Sequence, residues 1–179
     1  MKINREIASK VCLVLIAGVL AFGSAAAQDS KRATEEDRDK TKTKQAQAVS
    51  KAVYEKIQKA QEAVDAKDYS GALKTLNALY NPDKLTEYEQ ANVLNYLGFV
   101  YYNMDDTKGA IRTYERMLAI PSLEEQMAKQ ATYTVAQLLT MEEEYARALT
   151  TLNKWFMLET NPAPEPFILK AQVLYNLNR

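Results

Sequence analysis

The sequence predicts an all-α protein made of helical hairpins that repeat along the chain. Three similar dipeptides, Ala72-Leu73, Ala110-Ile111 and Ala148-Leu149, recur 38 residues apart. Around them, apolar residues recur at steps of three and four, which is the period of an amphipathic helix. Prolines lie between the repeated units, where they end one helix or start the next. Together these observations predict a solenoid of stacked helix pairs, about three repeats and one further helix.

The composition excludes several classes of function. The chain has 179 residues, 23 Lys and Arg, 23 Asp and Glu, one cysteine and no histidine. Without histidine, the usual general base at neutral pH and the imidazole ligands of metals are missing. A formal net charge of zero gives no electrostatic footprint for nucleic acid. We therefore expect no enzyme activity, no cofactor, no metal and no nucleic-acid partner.

The first segment has the pattern of an export signal. Three basic residues among the first ten are followed by an apolar run at residues 11–22 and by alanines at 25–27. This is the order of regions in a secretory signal peptide, and the run is shorter than the roughly 20 residues that span a bilayer. We predict a signal peptide at residues 1–27, cleavage that also removes Cys12, and a periplasmic mature chain without a membrane span.

Residues 28–48 have a high density of mixed charge and few apolar residues. Such a segment buries too little apolar surface to order itself, so it is predicted to be a flexible lead-in. The alternative, that this lead-in itself carries a binding function, stays open at this point. The solenoid is predicted over residues 49–179.

A second set of small residues, Ala60, Gly98 and Ala136, has the same 38-residue period. Small side chains at these positions allow the two helices of a hairpin to approach closely. The predicted hairpin-packing residues are Ala60, Ala72, Gly98, Ala110, Ala136, Ala148 and Ala171. The predicted units are about 53–90, 91–128 and 129–163, with a partial unit at 164–179.

The middle unit carries a family resemblance. Leu94-x-x-Leu97-Gly98-x-x-Tyr101, followed by Gly109-Ala110 and Tyr114, resembles the tetratricopeptide repeat pattern. Looser copies comprise Thr132, Val135, Ala136, Leu139, Tyr145, Ala148, Leu152 and Trp155, then Tyr69, Ala72, Leu76 and Leu79, and finally Phe167, Ala171 and Leu174. The period of 38 departs from the usual 34 of that family. Lys170 also stands where the family usually has an apolar residue.

A closer resemblance concerns the whole layout and the segment LTTLNKWFMLETNP at residues 149–162. Both are similar to periplasmic tetratricopeptide proteins associated with TonB systems of gammaproteobacteria. The resemblance implies a non-enzymatic scaffold for protein–protein interaction, as a component of a TonB-type energy-transduction system. The alternatives are a scaffold for envelope polysaccharide, peptidoglycan or secretion machinery, and an N-terminal fragment of a longer array.

The family arrangement implies that the first helix of each pair lines a concave groove that binds a protein or peptide of the cell envelope. The groove positions are then Asn92, Asn95, Phe99, Tyr102, Gln130, Tyr133, Gln137, Thr140, Ile168, Gln172 and Tyr175. Amide and aromatic side chains suit an extended peptide backbone, and the positions include no Lys or Arg to hold a terminal carboxylate. The alternative is that these residues only solvate a helix face.

The segment at 164–179 is apolar on most of its circumference, through Phe167, Leu169, Val173, Leu174 and Leu177. A helix that closes a solenoid normally shows a polar outer face. The pattern therefore predicts either further repeats or self-association through this helix. The aromatic pair Trp155-Phe156 is predicted to lie in the core, and the acidic run at residues 142–144 in a solvated turn.

Overall fold

The computed structural model describes residues 49–178, and the regular elements in that range are all α-helices. They are α1 Lys51–Asp65, α2 Tyr69–Leu79, α3 Glu87–Asn103, α4 Thr107–Leu118, α5 Glu125–Met141, α6 Tyr145–Leu158 and α7 Pro164–Leu177. The all-α prediction is confirmed for this part of the chain. The predicted signal peptide and lead-in, residues 1–27 and 28–48, lie outside the described residues.

Each helix packs against the next one in the sequence, and α1 also contacts α3. The two longest helices, α3 and α5, begin at Glu87 and Glu125. The sequence-based unit boundaries at 91 and 129 therefore fall about one helical turn inside these helices and are displaced. Thr86 explains the earlier start of α3, because its hydroxyl caps the helix by accepting a hydrogen bond from the Glu89 N–H at 3.2 Å.

Six of the seven predicted hairpin-packing residues are buried in the core. They are Ala60, Ala72, Gly98, Ala110, Ala136 and Ala148. Gly98 has the tightest surroundings, since a Cβ atom at this position would lie 2.7 Å from ring atoms of Tyr114 on α4. The absence of a side chain at Gly98 thus lets the Tyr114 ring, itself buried, lie against the α3 backbone.

The seventh residue, Ala171, is exposed, and its assignment to hairpin packing was wrong. The buried residues Leu97, Val135 and Val173 show that the 38-residue period continues into α7. In that register Leu174, and not Ala171, is equivalent to Gly98 and Ala136. Ala171 lies three residues before that equivalent position, and its small side chain accounts for the wrong assignment.

The turns that join α1 to α2, α3 to α4 and α5 to α6 each contain a left-handed residue. Lys67, Asp105 and Glu143 are 38 residues apart, and each is a non-glycine residue in the left-handed region, with φ of 59°, 60° and 61°. In the first two turns the next residue is an aspartate that caps the following helix, where Asp68 and Asp106 accept hydrogen bonds from backbone N–H groups. In the first two turns, a left-handed residue followed by a helix cap therefore ends one helix and starts the next.

We expect Asp105→Gly to stabilise the protein by about 0.5–1 kcal/mol, because glycine adopts a positive φ without the steric cost that Cβ imposes. This gain in free energy is larger than the loss that comes from the greater flexibility of glycine in the unfolded chain. Urea denaturation of the two proteins measures the difference. The same substitution at Asp83, in an exposed turn without positive φ, should be neutral or destabilising. Equal effects at both positions would contradict the role of the left-handed conformation.

Glu89 joins the beginnings of two helices. Its carboxylate accepts hydrogen bonds from the Thr86 N–H at 3.0 Å and from the Ser50 N–H, at the start of α1, at 2.9 Å. Burial tends to raise the pKa of this carboxyl, but the hydrogen bonds from Ser50 and Thr86 outweigh it and hold the pKa below its ordinary value. Glu89 therefore fixes the entry of the chain into α1 relative to α3.

Candidate binding face

The eight predicted groove residues on α3 and α5 are all accessible to solvent to some degree. Asn95 and Gln130 are exposed. The half-buried ones are Asn92, Phe99, Tyr102, Tyr133, Gln137 and Thr140. We call these eight residues the groove face. Within the 38-residue period they form four equivalent pairs, so α3 and α5 present the same positions to solvent.

The groove face lies on the part of the fold with the lowest density of charge. Residues 90–103 of α3 and 130–141 of α5 contain no Asp, Glu, Lys or Arg. The shorter helix α4 contains four charged residues, Lys108, Arg112, Glu115 and Arg116. Amides, hydroxyls and aromatic rings are therefore the chemistry that the groove face offers to a partner.

Lys129 stands immediately before the groove face on α5, and its charge is compensated. Its ammonium group lies 3.0 Å from Glu125 and 3.9 Å from Glu159. The hydrogen bond with Glu125, followed by the charges of both glutamates, raises the pKa of Lys129 against a smaller opposing effect of desolvation. The edge of the groove face thus carries no unbalanced positive charge with which to attract an acidic ligand.

Two groove-face side chains donate a hydrogen bond to a backbone carbonyl of their own helix. The Asn92 amide donates to the Tyr88 carbonyl and the Thr140 hydroxyl donates to the Ala136 carbonyl, both at 2.8 Å. These bonds fix the two side chains against their helices. The exposed amides of Asn95 and Gln130 are consequently better placed to bond a partner's backbone.

Tyr133 connects the groove face to the core. Its ring lies 5.2 Å, centroid to centroid, from that of Trp155 on α6, with the planes tilted by 41°. Trp155 is buried, as predicted from the sequence, with 8% of its surface exposed. A buried ring behind Tyr133 holds it in place, and a preordered aromatic ring loses little entropy when it binds.

The aromatic contacts continue from Trp155 to α7. The Phe156 ring lies 5.2 Å from Trp155 and 4.9 Å from Phe167, again between centroids. The Lys170 ammonium lies 5.1 Å above the Phe156 ring, in the geometry of a cation–π contact. This link was not predicted, although the lysine at a usually apolar position is its signal in the sequence.

The predicted groove residues on α7 are also exposed. Only some of them lie at positions equivalent, in the 38-residue period, to the groove face on α3 and α5. Tyr175 is equivalent to Phe99 and Gln137, whereas Gln172 is equivalent to Tyr96 and Thr134, which lie outside the groove face. Ile168 is exposed and equivalent to Asn92 and Gln130. The α7 residues at positions equivalent to the groove face are therefore Ile168, Ala171 and Tyr175, and they are more apolar than those on α3 and α5.

Two of the three glutamates at the α5–α6 turn are paired with cations. Glu142 lies 3.9 Å from Lys108, and Glu144 lies 2.5 Å from Arg147, which also reaches Glu115 at 2.7 Å. Residues 49–178 contain no group of three or more Asp, Glu, His or Cys side chains arranged to hold a metal ion. Glu142 and Glu144 thus take part in ion pairs near the surface.

Among the helices of residues 49–178, none combines the length and the apolar character needed to cross a membrane.

Comparisons of the chain with protein-family models, with curated proteins and with solved structures give no match.

Proposed function

We propose that this protein is a non-enzymatic scaffold of the cell envelope that binds an extended segment of a partner protein along the groove face. The observation that carries the proposal is the accessible, charge-free surface that recurs at equivalent positions of α3 and α5. Such a surface is suited to recognition through backbone hydrogen bonds and aromatic contacts.

The proposed architecture is a tetratricopeptide-like solenoid of helical hairpins. Two features with a 38-residue period support it: the left-handed turn residues Lys67, Asp105 and Glu143, and the buried small residues that include Gly98 and Ala136. In such a solenoid the first helix of each pair lines the concave side. The groove faces of α3 and α5 would then form one continuous binding surface.

The chemistry of the groove face favours an uncharged peptide segment. Asn95 and Gln130 can each donate to and accept from a peptide backbone, while Phe99 and Tyr133 supply flat apolar area. Because the face has no Lys or Arg, a C-terminal carboxylate or an acidic motif would find no ion partner there. We therefore propose that binding is nearly independent of ionic strength.

The cellular assignment rests on the sequence. The signal pattern at residues 1–27 supports a periplasmic location for the mature chain, and the resemblance at residues 149–162 supports a role as a component of a TonB-type system. The proposed partner is therefore another envelope protein of an energy-transduction system. A glycan of the envelope is the second candidate, since amide and aromatic side chains also suit sugar hydroxyls and ring faces.

Site-specific photocrosslinking in the host cell tests where binding occurs. A photoreactive phenylalanine analogue at Phe99 or Gln137 should form adducts with a single envelope protein, which mass spectrometry identifies. The same analogue at Arg112, exposed on the charged helix α4, is the matched control and should not form that adduct. Adducts only from the control position, or only from residues 28–48, would place the binding site away from the groove face.

Titration with the crosslinked segment, made as a synthetic peptide, measures how much each groove-face residue contributes to the free energy of binding. Phe99→Ala should weaken binding by about 2 kcal/mol, because aromatic residues at the centre of an interface usually contribute most. Asn95→Ala and Gln137→Ala should each cost about 0.5–1.5 kcal/mol. Tyr133→Ala should weaken binding as much as Phe99→Ala does. Because it also removes the contact with Trp155, a thermal melt of this variant must show that the fold is intact. A steep loss of affinity between low and high salt would contradict recognition by an uncharged face.

A further inference from the structure

Exposed apolar side chains are concentrated on α7. Of the eight large hydrophobic residues that are exposed within residues 49–178, five belong to this helix. They are Phe167, Ile168, Leu174, Tyr175 and Leu177. A contiguous surface of this kind is usually an interaction site in a soluble protein.

Five residues form one side of the helix, which we call the α7 face: Phe167, Ile168, Ala171, Leu174 and Tyr175. At 100° per residue they lie within an arc of about 120°. Pro166 and Val173, which are buried against the rest of the fold, lie on the other side of α7. Although the Phe167 ring also contacts that of Phe156 on α6, 54% of Phe167 remains exposed. A partner can therefore reach the α7 face without displacing α7.

The α7 face has a symmetric pattern about its central residue. Ile168 and Leu174 lie three residues before and after Ala171, and Phe167 and Tyr175 lie four residues before and after it. When two copies of such a helix pack antiparallel, each residue before the centre meets the residue at the same distance after it. The pairs would be aromatic with aromatic and aliphatic with aliphatic, with a small residue at the crossing point.

We propose that the α7 face is a homodimer interface, in which α7 packs antiparallel against α7 of a second copy around a two-fold axis at Ala171. In this arrangement Ile168 contacts Leu174 of the second copy, and Phe167 contacts Tyr175 of the second copy. The alanine permits close approach of the two helix backbones, as small residues do at helix crossings.

The exposed area is sufficient for a weak dimer. The α7 face exposes 54% of Phe167, 66% of Ile168, 40% of Leu174 and 63% of Tyr175. These fractions correspond to roughly 500 Å² per chain and roughly 1,000 Å² in the pair, which is near the lower limit of specific interfaces. The dissociation constant should therefore be on the order of micromolar.

The charges around the α7 face are compatible with this symmetry. The face itself contains no charged residue, so the two-fold axis brings no like charges together. Lys170 borders the face, but its ammonium is held over the Phe156 ring of the same chain. Charge repulsion therefore does not oppose the association of two copies.

Sedimentation velocity over a range of concentrations tests the proposal. The wild-type chain should form dimers at micromolar concentration, and Ala171→Glu should weaken dimerisation by roughly a hundredfold or more, because it places two carboxylates at the axis. Ala171 is exposed, so the substitution should leave the thermal melt of the monomer unchanged. Gln61→Glu, an exposed change on α1 that introduces the same side chain, should leave the dimer intact.

Disulfide trapping tests the orientation. With Cys12 replaced by Ser, the chain recovered from its host cell contains no other cysteine. Ala171→Cys should form a crosslinked dimer under mild oxidation, since the two sulfurs meet at the axis. Glu165→Cys should not, because the two copies of this residue would be about 18 Å apart along the helices.

Three outcomes would overturn the proposal: a wild-type chain that stays monomeric at all concentrations, a dimer that Ala171→Glu leaves unchanged, and crosslinking at Glu165→Cys but not at Ala171→Cys. In the first case, a crosslink from Ala171 to a different protein would identify that protein as the occupant of the α7 face. The α7 face shares Ile168, Ala171 and Tyr175 with the positions on α7 that are equivalent to the groove face, but it includes no residue of α3 or α5. Variants on α3 therefore separate the two proposals. Phe99→Ala and Asn95→Ala should reduce partner binding and leave dimerisation unchanged.

Discussion

Replacing Gly98 by leucine should destabilise the fold by 1–3 kcal/mol or more, on the order of other overpacked cores. A Cβ atom at this position would already lie 2.7 Å from two ring atoms of Tyr114, and leucine adds three more carbons. Removing a glycine from a helix interior gains about 1 kcal/mol of helix propensity, which is too little to offset the clash. Thermal denaturation should show a decrease of roughly 5–10 °C in Tm.

The control for this experiment is Lys154→Leu, which introduces the same side chain at an exposed position of α6 and should change the stability by less than about 0.5 kcal/mol. A double-mutant cycle then identifies the contact. In a Tyr114→Ala background, Gly98→Leu should cost at least about 1 kcal/mol less than in the wild type, because the ring that it meets is gone. Additive effects of the two substitutions would show that Gly98 does not act through Tyr114.

The sequence predicted the helical class and the small buried positions, because both depend on periodicity. A buried position in a helix must recur at steps of three and four, and a repeated helix pair must recur at one period along the chain. Gly98, Ala110 and Ala136 were therefore identified without knowledge of any contact. The spacing of the left-handed residues Lys67 and Asp105 obeys the same period, but a lysine gives no signal for positive φ and an aspartate gives only a weak one.

Contacts between distant polar residues could not be predicted from periodicity. Glu89 and Ser50 are separated by 39 residues, and nothing in their local sequence indicates that the carboxylate of one accepts from the N–H of the other. Lys170 was identified only as an exception to the family pattern, and the contact with Phe156 that accounts for it depends on how α6 and α7 meet. Ala171 was misplaced because a single small residue does not define a period.

Removing the Glu89 carboxylate should destabilise the protein by about 2–3 kcal/mol at neutral pH. Glu89 is buried, with 5% of its surface exposed, and Glu89→Ala would leave the N–H groups of Ser50 and Thr86 without this acceptor. Hydrogen bonds to a charged group contribute about 1.5–3 kcal/mol. Glu89→Gln keeps one acceptor oxygen but not the charge, so its effect should lie between those of alanine and the wild type.

The effect of Glu89 should disappear in acid. In the folded state the pKa of Glu89 is held below its ordinary value of 4.5. The ionised carboxylate therefore stabilises the fold fully above about pH 4.5. This stabilisation is lost as the pH falls through the folded-state pKa. Urea denaturation at several pH values should therefore show wild type and Glu89→Gln converging below pH 4.5. Glu62→Gln, which removes an exposed carboxylate of α1, corrects for the general effect of lost charge. A difference between wild type and Glu89→Gln that stayed constant from pH 7 to pH 3 would show that the carboxylate does not hold α1 and α3 together through its charge.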